Sequence, residues 1–558
     1  MRTLRETCVC NAQRGIFLAL LVSVIANAKL LEEQVQAILE SEAPIGSQPL
    51  PAFRVLLLAL PYAAHSLPLL RLGQELASRG NAVFFGSTDD YVELPYGKQV
   101  DFAALGVTWL PLGAPLHNAS QRHEREQWAV EHWDSNNPDN AFRNSTGVLM
   151  REFHVVFLNG LAKTHKLGPG SFDVVITDFL TSAGHDYAEY IGAPLVVFNS
   201  LSYIAFESRM MAVPPALLMP VMPIMLPYKM DFAAAVQNTL MTLLFEAKPC
   251  RTFLDIMDEC RALGGLVPGS FRQSLTRRPQ PLLLIPAAPG FEPPVALPPH
   301  VRVVGGMLFE SGPMSDKIRE YLESDPGTPV IYVGFGSFVD FPDPTYALIL
   351  RALGRVPARV LWSLKPKSAP SVMAAIANGT APANVRVEPW VQQLAVLRHP
   401  AVKAVVTHGG FSSVSEIMYV GKPMVAIPGF GDNEHNAWKL QQLGAAVQLS
   451  KESPQLEQQL VEAVNKVLTD PSYTAAARRL GLVTRTAPGA PHAAALVEQV
   501  AALGSTQHLS SPDNTGVVAA ATATLAAVPL VLAALVLVCL ARCLGGSGRR
   551  RVMKAKPE

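Results

Sequence analysis

Residues 401–416 read AVKAVVTHGGFSSVSE. The apolar run 401–406 is short and valine-rich, and it ends on Thr407-His408-Gly409-Gly410, where polar residues and glycines take over before a helical pattern begins. A buried strand, a tight turn and a helix in that order form the repeating unit of a parallel sheet covered by helices. Ligands of such sheets bind beyond the carboxyl ends of the strands, which makes this turn a candidate site. Free N–H groups at the helix start, joined by the Ser412 and Ser413 hydroxyls, suit a pyrophosphate. His408 can donate a further hydrogen bond as charge grows on a departing diphosphate. Glu416, one to two turns into the helix, can accept from ribose hydroxyls.

Working outward, Trp390 offers a flat face to a base, and Gln393 can read amide-like edges or bond to ribose. Downstream, the run Met424 to Ile427 ends in Pro428-Gly429-Phe430-Gly431-Asp432-Asn433, where Asp432 and Asn433 have the side chains to grip sugar hydroxyls. Upstream, the run Pro329 to Phe335 leads into Gly334-Phe335-Gly336-Ser337, a turn that serves either as plain strand-to-helix geometry or, through Ser337, as a phosphate donor. With Val301 to Val304 as a first strand, these runs define a second α/β domain over residues 301–480. A proline-rich linker, 287–300 (AAPGFEPPVALPPH), precedes it.

The first domain, 53–286, opens with the apolar run FRVLLLAL at 53–60, a Pro-Tyr-Ala-Ala-His turn, a helix from Leu67 to Arg79 and a second strand from Ala82. Asp173 to Ile176 is a similar strand leading to Asp178, so His65 and Asp178 both fall at strand carboxyl ends. The stretch Met210 to Phe245, rich in Met, Leu, Pro and Ala, reads as an apolar acceptor-binding wall or a surface that dips into a bilayer, against plain helical core. The fold class expected is α/β: two Rossmann-like domains facing across a cleft.

Composition and the two ends bear on location and partners. A chain of 558 residues is long enough for two domains. Its 46 basic and 45 acidic residues nearly cancel, with no basic block in the body, which argues against a nucleic-acid partner. Residues 1–28 have the form of a signal peptide, with a lead-in over 29–52. After helices and a stalk at 481–515, the uncharged run 516–541 is long enough for a transmembrane helix, and a basic tail, 542–558, follows. The tail ends Lys-Ala-Lys-Pro-Glu, similar to an endoplasmic reticulum retrieval signal. These ends predict a single-pass type I protein of the endoplasmic reticulum membrane with a lumenal body, and with the lipid bilayer as a partner. Glycosylation sequons stand at Asn118, Asn144 and Asn378, and Cys250 and Cys260 are either paired or two buried thiols. No metal-ligand cluster stands out.

The segment 387–437, VEPWVQQLAVLRHPAVKAVVTHGGFSSVSEIMYVGKPMVAIPGFGDNEHNA, resembles the donor-binding signature of the UDP-glycosyltransferase family, inverting transferases of GT-B fold that include the UDP-glucuronosyltransferases. The resemblance spans roughly residues 53–543. It implies that Trp390 stacks on uracil, that Gln393 helps hold the uridine, that His408, Gly410, Ser412 and Ser413 bind the diphosphate, and that Glu416 binds the ribose. Asp432 and Asn433 then face the transferred sugar. His65 is the implied general base and Asp178 its partner carboxylate, with His185 a weaker rival as base. Gln392, Ser412 and Asn433 depart from the family's usual proline, asparagine and glutamine, and Asn433, one methylene shorter, bears on which sugar is used.

The expected reaction is a metal-independent single displacement that moves a hexosyl group from a UDP-sugar, with UDP-glucose preferred over UDP-glucuronate and UDP-galactose, to a hydroxyl of a small lipophilic acceptor. The UDP-sugar is a co-substrate, no cofactor is implied, and homo-oligomerisation is left open. Two other readings differ in class. A non-catalytic, UDP-sugar-binding or regulatory relative is disfavoured by the presence of both His65 and Asp178. A dinucleotide-dependent oxidoreductase is disfavoured because the first strand leads into Pro-Tyr-Ala-Ala-His where a Gly-x-Gly-x-x-Gly turn would be needed.

Overall fold

The computed structural model describes residues 50–116, 146–200, 231–247, 249–292, 297–310, 312–337 and 339–510, with scattered positions between 121 and 144. From Phe53 the described chain builds two wholly parallel sheets. The first contains β1 (Arg54–Leu58), β2 (Ala82–Ser87), β3 (Val107–Pro111), β4 (Val174–Asp178), β5 (Leu195–Phe198), β6 (Leu282–Ile285) and β7 (Val301–Val303), in the spatial order β3-β2-β1-β4-β5-β6-β7. The second contains β8 (Val330–Gly334), β9 (Arg359–Ser363), β10 (Val385–Glu388), β11 (Val402–Thr407), β12 (Met424–Ala426) and β13 (Ala446–Gln448), ordered β10-β9-β8-β11-β12-β13. The central strands are apolar at almost every position because helices cover both faces: all five residues of β4 and of β8 are buried.

In each sheet the strand order reverses once, between β1 and β4 and between β8 and β11. At these switch points neighbouring crossovers depart to opposite faces, leaving a crevice at the strand ends. Leu58 of β1 is in register with Thr177 of β4, which sets the turn after β1 beside Asp178. Gly334 of β8 is in register with Thr407 of β11, which sets the Gly336 turn beside His408.

Four helices frame these crevices: α1 (Ala63–Ser78), α2 (Ala183–Ile191), α3 (Phe411–Val420) and α4 (Asn433–Gln442). Helix α1 begins four residues before the expected Leu67, so His65 lies in its first turn and Pro68 inside it. Two further helices, α5 (Pro471–Thr486) and α6 (Ala490–Leu503), tie the domains together. Helix α5 packs on α3, where Arg485 Nη1 donates to the Tyr419 carbonyl at 2.6 Å. Helix α6 returns to α1 of the first domain, with Glu498 bound to Arg79 at 3.3 Å and to Asn81 at 2.9 Å.

Two expectations are corrected. Val301–Val303 does not open the second domain: it pairs in parallel with Leu283–Ile285 and closes the first sheet, so the proline-rich stretch is a crossover inside the first domain's sheet. The fold class seen in the described residues is two α/β domains, and the expected transmembrane helix is not among them. Among the described residues no helix is long and apolar enough to cross a membrane. The longest have 16 residues, about 24 Å at 1.5 Å per residue, against about 30 Å of hydrocarbon. The run 516–541, like the segment 1–28 expected to be a signal peptide and the tail, lies outside the described residues. The single-pass endoplasmic reticulum placement and the lipid bilayer as a partner were read from these terminal segments, and no helix of the described residues supports them. Of the two readings left open for the cysteines, Cys260 follows that of a buried free thiol. Of the apolar stretch 210–245, residues 210–230 lie outside the described residues, and Phe232–Ala247 is helical.

Candidate active site

At the first switch point, His65 Nδ1 lies 2.9 Å from Asp178 Oδ1. The Ser200 hydroxyl, just past β5, is 2.9 Å from the same nitrogen and donates to Asp178 Oδ1 at 2.5 Å. The second carboxylate oxygen of Asp178 accepts from the Leu180 amide at 3.2 Å and the Thr181 hydroxyl at 3.3 Å. Asp178 is fully buried, so these donors replace the water it gives up. With Nδ1 tied to a carboxylate, Nε2 is the ring nitrogen left to take a proton. Burial alone would push the His65 pKa down, but the charge and hydrogen bond of Asp178, with Asp432 adding to them, leave it raised. His185, the rival, is buried against Phe271 and held neutral, pushed down to about 3 mainly by burial.

At the second switch point the His408 ring lies between two glycines. A Cβ on Gly336 would sit 2.7 Å from His408 Cε1, and one on Gly410 would collide with Nε2. Gly336 also has φ +75°, which disfavours any side chain. Burial pushes His408 down to about 4, opposed by a hydrogen bond to the Gly334 carbonyl and assisted by the Lys365 ammonium. Gly410 is the N-cap of α3, whose first residues include Ser412 and Ser413.

Deeper in the second domain, Gln393 accepts from Tyr332 at 3.0 Å and donates to Glu416 at 2.8 Å and Ser413 at 3.3 Å. Burial pushes Glu416 up to about 7, with Gln393 and then Arg398 opposing it. Trp390 meets Tyr96 of the first domain, ring centroids 6.1 Å apart, and its Nε1 has no hydrogen-bond partner.

The loop after β12 carries Asp432 and Asn433. Asp432 accepts from Asn436 at 2.7 Å and from Asn433 at 3.1 Å, while Asn433 Oδ1 accepts from the Phe430 amide at 3.3 Å. Asn433 is thus buried in the loop that it braces. Burial pushes Asp432 up to about 6, opposed by Asn436, by His65 across the cleft and by Lys439.

A cavity of about 350 Å³ opens between the domains, and Ser337, Trp390, Gln393, His408, Gly410, Ser412, Ser413 and Glu416 all line it from the second domain. From the first domain it is lined by Pro61 to Ala64, the residues leading to His65, and by Tyr96 and Gln99. His65 itself, Asp178, Asp432 and Asn433 are not among the residues that line it. Ser200, Thr181, Tyr332, Tyr96 and Lys365 went unnoticed in the sequence; for Ser200 and Lys365 the available signal was their position two residues past a parallel strand.

The family model described as UDP-glucoronosyl and UDP-glucosyl transferase matches residues 58–513. UDP-glucuronosyltransferase 2A3 of Mus musculus is 28% identical over 333 residues, 58% of this chain and 60% of that protein. Its Homo sapiens counterpart of the same name is 29% identical over 332 residues, with the same shares. The chain therefore spans about 60% of the length of these curated relatives. Among solved structures, the glycotransferase of kitacinnamycin superposes with TM-score 0.54 at 18% identity, covering 81% of this chain and 99% of its own. The glycosyltransferase SnogD from Streptomyces nogalater does so with TM-score 0.51 at 18% identity, covering 81% and 100%. At that identity the likeness speaks to the fold, which is GT-B. Because the family model runs from β1 past α6 and takes in both switch points, the chain belongs to the UDP-glucoronosyl and UDP-glucosyl transferase family.

Proposed function

We propose that this protein transfers a hexosyl group from a UDP-sugar to a hydroxyl of a small lipophilic acceptor with inversion of configuration. The observation that supports the reading is the approach of the two switch points: a carboxylate-bound imidazole that follows the cavity-lining residues Pro61 to Ala64 and feels the charge of Asp432, and a glycine-flanked histidine and helix start that line the same cavity from the second domain. Uracil stacks on Trp390, the ribose hydroxyls bond to Glu416 as Gln393 orients it, and the diphosphate rests on Ser412, Ser413, Ser337 and His408. His65 Nε2 takes the acceptor proton as the hydroxyl oxygen attacks the anomeric carbon. The bond from that carbon to the β-phosphate oxygen breaks, its electron pair leaves with UDP, and Asp178 stabilises the imidazolium. One displacement turns an α-linked donor into a β-glycoside. Asp432 holds sugar hydroxyls, while Asn433 acts through Asp432 and the loop.

The acceptor reading draws support from the apolar side chains on the cavity wall, Leu67, Leu94 and Phe309 among them. Glucose is the preferred sugar: the carboxylate of glucuronate calls for a cation, and Lys439, whose charge acts on Asp432, is bound to Glu292 at 2.5 Å. UDP-glucuronate is the second reading, favoured by relatives named as glucuronosyltransferases.

The test is UDP release with UDP-glucose, UDP-glucuronate or UDP-galactose, each with a panel of sterol, phenol and ceramide acceptors, for wild type and His65→Ala. Acceptor-dependent release with one donor, lost in the variant, is expected. Equal turnover by both proteins would remove His65 from the reaction, and UDP binding without turnover would favour the non-catalytic relative.

A further inference from the structure

The donor's diphosphate carries two negative charges, and a third develops on UDP as the bond to the anomeric carbon breaks. The second switch point supplies less positive charge than its histidine suggests, since burial keeps His408 neutral at physiological pH. The start of α3 contributes roughly half a unit charge. Among the described residues lining the cavity, Lys365 is the one lysine or arginine, and it lines the cavity together with Gly336, Ser337 and His408.

The fold holds that lysine in place. It stands two residues past β9, the strand beside β8, at the same carboxyl edge as the Gly336 turn. The Leu364 amide before it donates to Glu388 at 3.0 Å, and its own carbonyl accepts from the Ser368 amide at 3.1 Å. Ser368 is in turn bonded to the buried Asp340 at 2.8 Å. A backbone fixed on both sides directs a four-carbon side chain along one wall of the cavity.

We propose that Lys365 is a further catalytic residue of this site: its ammonium contacts the β-phosphate of the donor and supplies the countercharge for the electron pair that UDP takes with it. This rests on the donor site proposed above and adds a residue outside the signature 387–437. A lysine suits the task as a compact point charge that follows the phosphate as the bond lengthens.

The experiment measures binding of UDP, UMP and uridine to the full chain by calorimetry at low and high salt, for wild type, Lys365→Met and Lys365→Arg, with kcat alongside. For Lys365→Met, UDP affinity should fall about tenfold or more and lose much of its salt dependence, while uridine affinity stays unchanged. The kcat should fall on the order of 10²-fold, and Lys365→Arg should recover part of both. Unchanged uridine binding also reports that the variant is folded. An unchanged ratio of UDP to uridine affinity in Lys365→Met would overturn the proposal and leave the donor site standing. Wild type that binds neither ligand would sink the donor site itself, and Lys365 with it.

Discussion

His65 sits between carboxylates from both domains, Asp178 within hydrogen-bond reach and Asp432 across the cleft, and their combined charge outweighs burial in raising its pKa. A general base must be neutral in the free enzyme, so kcat/KM should fall as pH drops through this raised value. Asp178→Asn removes the nearer charge and the bond that orients the ring. Its acidic limb should move to lower pH while kcat drops on the order of 10²- to 10⁴-fold, which a pH profile of both proteins will check. An unmoved limb would mean another group titrates. Glu416 gives a second pH signature. Burial pushes it up to about 7, and ribose hydroxyls donate best to its ionised form. Uridine, which has no phosphate to titrate, should therefore bind more weakly as pH falls from about 8 to about 6. Glu416→Gln should flatten that dependence. At this scale the sequence was legible where residue type and strand end coincide, as at His65, Asp178 and His408. Ser200 and Lys365 also stand just past strands, but what they face depends on which strands lie side by side, and that is not legible from the sequence.

The turns at the carboxyl ends of β8 and β11 work as one device, because His408 from one fills the space left by Gly336 of the other. Gly336→Ala places a Cβ against the imidazole and asks alanine to adopt φ +75°. UDP affinity should fall at least about tenfold, with thermal unfolding showing a loss of about 1–3 kcal/mol from backbone strain. Unchanged affinity would mean that the ring's position is immaterial. The long central strands could be read from their apolar runs. The edge strands β10 (VRVE) and β13 (AVQ) could not, since they are short and half exposed and lack the continuous apolar signal. Val301–Val303 was readable as a strand but not as part of the first sheet, because its partner, β6, precedes it across a proline-rich crossover.

Across the whole molecule, two lysines of the second domain bind parts of the first. Lys439 is buried with Glu292 at 2.5 Å, its ammonium 4.8 Å from the centre of the Phe291 ring, and Phe291 lies against Phe411 at the start of α3. Lys451 donates to the carbonyls of Val130 at 2.5 Å and Gly429 at 2.7 Å, pinning the loop that leads to Asp432. Together with α6 packed on α1, these contacts hold the switch points face to face. Lys439→Leu leaves a buried carboxylate without its cation and should cost about 3–5 kcal/mol in denaturant unfolding. Pairing it with Glu292→Leu should recover much of that loss, and a simple sum of the two single effects would show that the residues do not act as a pair. None of these contacts between distant segments carries a local signal in the sequence, so the cleft was legible as two half-sites and its closure was not.

The central claim is a single displacement assisted by His65. The most direct measurement is the anomeric configuration, read by nuclear magnetic resonance, of the glycoside formed from an α-linked UDP-sugar, with His65→Ala run in parallel and its UDP binding checked. The account predicts a β-linked product from wild type and none from a variant that still binds UDP; an α-linked product, or undiminished β-product from the variant, would contradict it.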